Sequence, residues 1–278
     1  MLKAISLHSI VPVRAEAREG AEQETQMLFG ELCQIINDQS PITNWTHVRL
    51  ESDGQEGWVD AKMITPMTDK EYAAYKKALK TAATVAFPMA YAMSENNGQT
   101  IPLTAGTKLT NYQSQMTNEA GPARFEVLGV GFRIDPTMVI TEPRELNQEN
   151  LLQTVRFFLN VPYLWGGKNA MGMDCSGFTQ TIMSLFGKHL LRNASQQATQ
   201  GQEITDLQNA QAGDLVFFNH QSPITNHKSK ITHVGIVIDP ERVIHCSGRV
   251  KVEKLDTTGI FSAERGDYSH YLVSIRRI

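Results

Sequence analysis

Tyr163-Leu164-Trp165-Gly166-Gly167, followed by Met173-Asp174-Cys175-Ser176-Gly177-Phe178, is the stretch from which the rest of the chain is read. A cysteine stands behind an irregular, glycine-bearing segment. Apolar residues then recur at Phe178, Ile182 and Leu185, the stripe of an amphipathic helix. The pattern places Cys175 at a helix N-terminus, where unpaired N–H groups and the positive dipole end favour thiolate over thiol. Gly187 is a suitable residue just past the end of that helix. Free cysteines are most often small buried hydrophobes. The Asp, Ser and Gly neighbours of Cys175 point instead to a nucleophile.

A nucleophile needs a base, and two histidines downstream supply one. His233-Val234-Gly235-Ile236-Val237-Ile238 and Val243-Ile244-His245-Cys246 read as strands, with turn chemistry at Asp239-Pro240-Glu241-Arg242 between them. With an odd loop, Asp239 to Glu241, His245 faces Gly235 and His233 is its diagonal neighbour on the same face. With an even loop the rings lie on opposite faces and the pairing fails. In the odd case His233 is the base and His245 its orienter. The Cys175 backbone N–H and the Tyr163 hydroxyl are then candidate donors to an oxyanion. A thiolate–imidazolium pair is expected in the resting protein.

These residues, together with Gly213-Asp214-Leu215-Val216-Phe217-Phe218, resemble the NlpC/P60 family of cell-wall peptidases over Glu145 to Ile278. The likeness is strongest to members that carry bacterial SH3-like domains in front of the peptidase. The resemblance implies an α+β fold, with a papain-like catalytic domain preceded by two small SH3-like β-barrels. It implies a γ-D-glutamyl-L-diamino-acid endopeptidase activity on murein peptides with a free N-terminal L-Ala, and no cofactor. By the same resemblance Asp174, Ser176 and Ser195 surround the D-glutamyl group and Trp165 lines the pocket. Ser176 is also a candidate helix cap. Ala194 stands where such members tend to carry an acid. Glu31, in the turn Leu28-Phe29-Gly30-Glu31, matches an acid that meets the substrate amine, so that the first SH3-like domain closes one end of the cleft.

The rest of the chain fits this organisation. Residues 1–67 read as the first SH3-like domain, with strands at Ile10–Arg14, Leu32–Ile36 and Trp45–Leu50 and a hairpin through Asp53-Gly54. Trp45 and Trp58 are expected in its core, with a ligand-facing wall as the alternative for Trp58. Residues 68–86 read as a connecting helix opened by the capping box Thr68-Asp69-Lys70-Glu71. Residues 87–144 read as a degenerate second SH3-like domain, with turns at Asn96-Asn97-Gly98 and Glu119-Ala120-Gly121-Pro122. Residues 145–278 form the peptidase domain, opening on a helix from Asn147 to Leu159. His220 and His227 fall in a polar loop and are expected to be solvated.

Composition removes several function classes. Hydrophobic content is 41% and charged content 20%, as in ordinary globular proteins. A net charge of −3 gives no reason to expect nucleic acid or an anionic membrane surface. Cys33, Cys175 and Cys246 are too few for a disulfide framework. No apolar run is long enough to span a membrane, and the N-terminus lacks a leader pattern. The chain as written reads as cytoplasmic and monomeric; with a leader removed, a periplasmic or extracellular place would read the same. A zinc site from Cys175, Cys246, His233 and His245 is disfavoured, since neither C-x-x-C nor H-E-x-x-H spacing is present. Two rival readings are a non-catalytic wall-binding adaptor and a papain-like amidase or acyltransferase.

Overall fold

In a computed structural model of the chain, the described residues are 2–37, 44–114, 121–220 and 230–278. They form two compact units, Met1–Pro143 and Arg144–Ile278. Alternating apolar residues near the N-terminus build seven antiparallel strands: β1 (Leu2–Ile5), β2 (Ile10–Arg14), β3 (Gln23–Leu28), β4 (Leu32–Asn37), β5 (Trp45–Leu50), β6 (Glu56–Asp60) and β7 (Thr65–Met67). Their order is β3-β2-β6-β5-β4-β1-β7. Ala4, Val11, Val13, Met27, Cys33, Val48, Leu50 and Val59 fill the interior. Trp45 and Trp58 are only half-buried, so the core expected of them is made by Val48 and Val59. The Trp58 ring lies against His47 instead.

The capping box forms at Thr68: its side chain accepts from the Glu71 N–H, and the Glu71 carboxylate accepts from the Thr68 N–H. The helix it starts, α1 (Asp69–Leu79), is shorter than the sequence suggests. Ala83–Val85 is instead a fully buried strand, β8. The intrinsic helix preference of alanine there is overridden by pairing with β11 (Lys108–Leu109) and β14 (Val139–Ile140). Between and around them, β9 (Met89–Ser94), β10 (Thr100–Thr104), β12 (Ala123–Val127) and β13 (Val130–Ile134) pair in the order β10-β9-β13-β12. Residues 119 and 120 of the expected turn lie outside the described residues. One apolar cluster joins Ile5, Phe29, Leu32, Met67 and Tyr75 to Val85, Leu109, Phe125 and Ile134. The two β sections of this unit therefore share a core. Tyr75 donates its hydroxyl to the Gly30 carbonyl at 3.0 Å and so holds the turn that carries Glu31. Gly30 has a φ of +79°, and a Cβ there would lie 2.5 Å from that hydroxyl oxygen, so only glycine fits.

The second unit opens with α2 (Gln148–Val155), capped by Asn147. It ends a turn earlier than Leu159. Leu151, Val155 and Phe158 are buried, whereas Leu152 and Leu159 face solvent. A short hairpin of β15 (Lys168–Asn169) and β16 (Gly172–Met173) delivers the chain to α3 (Cys175–Ser184). The end of α3 agrees with the sequence. Lys188 N–H bonds Met183 C=O and Gly187 N–H bonds Ser184 C=O, the two closing bonds of a Schellman motif, with Gly187 left-handed at φ 71°. Phe178, Ile182 and Leu185 are fully buried along one side of it.

After α4 (Ala194–Gln197) and β17 (Gln202–Glu203) come β18 (Leu215–Asn219), β19 (His233–Asp239), β20 (Arg242–Ser247), β21 (Arg249–Leu255), β22 (Gly259–Ser262) and β23 (Asp267–Arg277). The order is β17-β23-β18-β19-β20-β21-β22, and β22 also pairs with β23, so six strands close into a barrel. Val216, Phe218, Val237, Val243, Leu255, Ile260 and Ile275 pack together inside it. Residues at the alternate positions Val234, Ile236, Ile244 and Cys246 are equally buried, and α3 packs across β19 and β20. Among the described residues no helix is long and apolar enough to cross a membrane.

Candidate active site

The parity on which the histidine pairing depends is set at the β19–β20 turn. Only Pro240 and Glu241 separate the strands, yet the register slips between Val237 and Asp239, where one extra residue is inserted. The bulge restores the odd parity, and His245 lies directly opposite Gly235. His233 is then its diagonal neighbour. The two rings meet, with His233 Nε2 2.8 Å from His245 Nδ1. Gly235 leaves the room: a Cβ there would fall 2.6 Å from Val243 Cγ2 and 3.1 Å from His245 Cβ.

Two further residues enter this group without any signal in the sequence. Glu253, opposite Val243 on β21, places its Oε2 2.9 Å from His245 Nε2. An ionised carboxylate only accepts, so His245 Nε2 carries the proton. His245 Nδ1 is therefore an acceptor, His233 Nε2 a donor, and the lone pair of His233 falls on Nδ1. The carboxylate thus sets the tautomer of a ring two bonds away. His270, opposite Ile260 on β23, stacks on His233 with ring centroids 4.1 Å apart. Its Nδ1 is 2.8 Å from Ser269 Oγ. His220 is exposed, as expected, but its ring lies 4.6 Å from that of His270 and so joins the edge of the cluster. His227 lies outside the described residues.

Cys175 takes the first position of α3, as the sequence implies. Its sulfur lies near the backbone N–H groups of Val234 and Ser176, against β19 and one residue from His233. Asp174, rather than Ser176, caps the helix. Its Oδ1 accepts from Gly177 N–H at 2.7 Å, while Oδ2 accepts from Gly166 N–H at 2.9 Å. Arg192, 1% exposed, grips both oxygens, at 3.0 and 2.5 Å, and also donates to Ser176 Oγ at 2.9 Å. The Asp174 carboxylate is thereby saturated by its own chain. It orders the glycine loop, the helix start and a buried guanidinium together. Arg192, eighteen residues away, had no sequence signal beyond its charge.

The surroundings favour a neutral resting pair. Burial pushes the Cys175 thiol up to about 12, and the Asp174 carboxylate adds to this; the Val234 and Ser176 N–H groups and Arg192 oppose it. Burial drives His233 well below the ordinary histidine range, helped by His270, His245, His220 and Lys251. Burial also lowers His245, against the pull of Glu253. Both shifts disfavour charge, which runs against the expected thiolate–imidazolium pair. Burial alone would raise the Glu253 carboxyl, but bonds from His245, Ser262 and Lys251 carry it down to about 2.

The remaining sequence-derived residues are distributed unevenly. Tyr163 is half-buried, and its phenol is shifted upward by burial and then by the nearby Cys175 and Asp174. Trp165 is 59% exposed and forms no closed wall. Ser176 is buried in the Arg192 network, and Ser195 is exposed on α4. Glu31 belongs to the first unit, where its carboxylate accepts from the Leu28 N–H at 2.9 Å. Cys246 is buried and donates to the Met173 carbonyl at 3.1 Å, which fastens β20 to the strand before Asp174.

A cysteine at a helix start and a hydrogen-bonded pair of imidazoles on the strands that helix packs across are the parts nucleophilic acyl transfer requires. Residues 160–266 match the NlpC/P60 family, and residues 13–64 match the bacterial dipeptidyl-peptidase SH3 domain. The chain is 30% identical over 233 residues to a γ-D-glutamyl-L-lysine dipeptidyl-peptidase of Bacillus subtilis, covering 80% of this chain and 71% of that one. A crystal structure of an NlpC/P60 family protein from Bacillus cereus superimposes with a TM-score of 0.79 at 21% identity, covering 99% of both chains. An NlpC/P60 endopeptidase from Photobacterium damselae gives a TM-score of 0.69 at 17% identity, covering 98% of this chain and 70% of that one. At these identities the two structures speak for the fold. The chain belongs to the NlpC/P60 family of peptidases.

Proposed function

We propose that this protein hydrolyses the γ-D-Glu–L-diamino acid bond of murein peptides whose N-terminal L-Ala is free. The observation that carries this reading is the relay Glu253–His245–His233, which leaves one lone pair on His233, the residue before the Val234 amide that lies against the helix-start sulfur. As the scissile carbonyl arrives, the thiol proton passes to His233 Nδ1 and the sulfur attacks the γ-carbonyl carbon. The oxyanion that forms is held by the Cys175 N–H and the Tyr163 hydroxyl. Collapse breaks the C–N bond, and the imidazolium returns its proton to the leaving amine. Water then enters, giving up a proton to the same ring, and hydrolyses the thioester to release L-Ala-γ-D-Glu.

The peptide specificity rests on the resemblance and on the relative from Bacillus subtilis, whose name specifies a γ-D-glutamyl-L-lysine dipeptidyl-peptidase. Glu31 is assigned the substrate ammonium on the same grounds. The test is hydrolysis of L-Ala-γ-D-Glu-L-Lys and its diaminopimelate counterpart beside their N-acetylated forms, with products identified by mass spectrometry. Free-amine peptides should be cleaved and acetylated ones spared, with Glu31→Gln narrowing the gap. Equal rates on both forms would remove the free-amine requirement. Cleavage at another bond would remove the assigned specificity.

A further inference from the structure

The polar end of the barrel holds more imidazole than acyl transfer uses. His270 makes no hydrogen bond to Cys175, Glu253, His245 or His233 among the described residues, yet it is buried, stacked on the His233 ring and edge-on to His245. One ring nitrogen from each of His233, His245 and His270 lies within 4.8 Å of the other two. We propose that these three histidines form a reversible binding site for a borderline transition-metal dication of the zinc class, and that its occupancy switches the base off.

Three features beyond proximity support a metal. Imidazole suits zinc, copper and nickel, and three histidines with an open fourth position make an established zinc donor set. Two of the rings also carry the outer partner that metal-binding histidines need. His245 donates its Nε2–H to Glu253, which turns the Nδ1 lone pair inward. His270 has its Nδ1 against Ser269 Oγ, and that hydroxyl is directed to the Ile260 carbonyl at 3.4 Å. In the tautomer in which His270 Nδ1 donates to that hydroxyl, Nε2 holds the lone pair. The group also reaches the solvent edge of the fold, since exposed His220 lies 4.6 Å, ring to ring, from His270.

Binding has a definite proton balance. In the empty site the proton shared by His233 and His245 sits on His233 Nε2, 2.8 Å from His245 Nδ1. A metal takes its place between those two nitrogens, with N–metal distances of about 2.0–2.1 Å, so the rings must part slightly while His270 swings in. The displaced proton moves to His233 Nδ1, and no proton is lost overall. The His233 nitrogen that the proposed hydrolysis uses then carries a hydrogen in place of a lone pair and cannot take the thiol proton. Cys175 is not a ligand in this scheme.

The experiment uses the full chain carrying Cys175→Ala, so that binding is read without activity and independently of the peptidase reading. It is titrated with Co²⁺, then with Zn²⁺ in competition. The expected result is one Co²⁺ per chain, with visible d–d bands of a low-coordinate nitrogen site that Zn²⁺ abolishes. Selective paramagnetic broadening of the ring signals of His233, His245 and His270 assigns the ligands without any further variant. His270→Ala in the same background should weaken Co²⁺ by more than about tenfold, the size found even for loss of an outer-shell partner. In the wild-type chain, Zn²⁺ should suppress peptide hydrolysis and a chelator restore it. Absence of stoichiometric binding, affinity indifferent to His270→Ala, or broadening confined to other histidines would each overturn the site. A thiolate-to-cobalt charge-transfer band in the wild type, lost together with binding in Cys175→Ala, would overturn it in favour of a cysteine-ligated metal.

Discussion

The two units each contain a seven-stranded antiparallel sheet and a buried cysteine, and they treat that cysteine in opposite ways. Cys33 lies among Ala4, Val11, Met27 and Val48, and burial pushes its thiol up to about 12. Cys175 is also raised to about 12, chiefly by burial. Acidity therefore does not separate a packing cysteine from the proposed nucleophile. What separates them is the company: backbone N–H groups and an imidazole pair on the adjoining strands for Cys175, an apolar cluster for Cys33. The sheets differ in the same way. The interior of the first is apolar, while the second devotes one end to His233, His245, His270, Lys251 and Glu253. Burying so much polarity costs stability unless each group is bonded, and a fold keeps it there for chemistry.

The contrast is most exposed to a pair of substitutions. Cys175→Ala should lower kcat/KM on the murein tripeptide by about 10⁴-fold or more, the scale of losing a nucleophile. Cys33→Ala should leave it unchanged and lower the melting temperature only. Comparable activity in the two variants would erase the distinction. Glu253→Gln sharpens it further. The relay loses the anion that fixes its tautomers, so kcat should fall about 10- to 100-fold with KM little altered. A rise in KM at constant kcat would reduce Glu253 to a packing residue.

Acid should also tell the units apart. The folded-state pKa values of His233, His245 and His270 are all lowered, for His270 to about 3. Below pH about 6.5 the unfolded chain takes up protons that the buried rings refuse, so stability falls as pH drops. The slope is about 1.4 kcal/mol per pH unit for each ring fully in this window, and for His270 it persists until about 3. Protection factors, with the intrinsic pH dependence of exchange divided out, should therefore fall between pH 7.5 and 5.5 in Arg144–Ile278 and change little in Met1–Pro143. An equal fall in both would break the comparison at its weakest effect.

Local signals made part of this legible. The helix start at Cys175, its end at Gly187 and the capping box at Thr68 depend on neighbours within a few residues, and all three are found where the chain indicates. The pairing of His233 with His245 was conditional on loop parity, and no residue of Asp239-Pro240-Glu241-Arg242 announces the bulge that decides it. Glu253, His270 and Arg192 reach the site by strand pairing or across a buried gap of eighteen residues, so nothing local marks them. Ala83–Val85 shows the reverse failure, where a strong local preference for helix lost to partners that arrive later in the chain. Asp174 was legible as important for the site but not for its task, because saturation of a carboxylate is visible only when its donors are in place.

The contact between β22 and β23 shuts the second sheet into a ring. In an open sheet a strand can slide by a residue and disturb one neighbour. In a ring the slip has nowhere to end, and every seam around the circumference must shift with it. The heights of the three imidazoles, borne by three different strands, are thus fixed jointly, so a loosened hairpin far from the sulfur would be felt there as a misaligned relay.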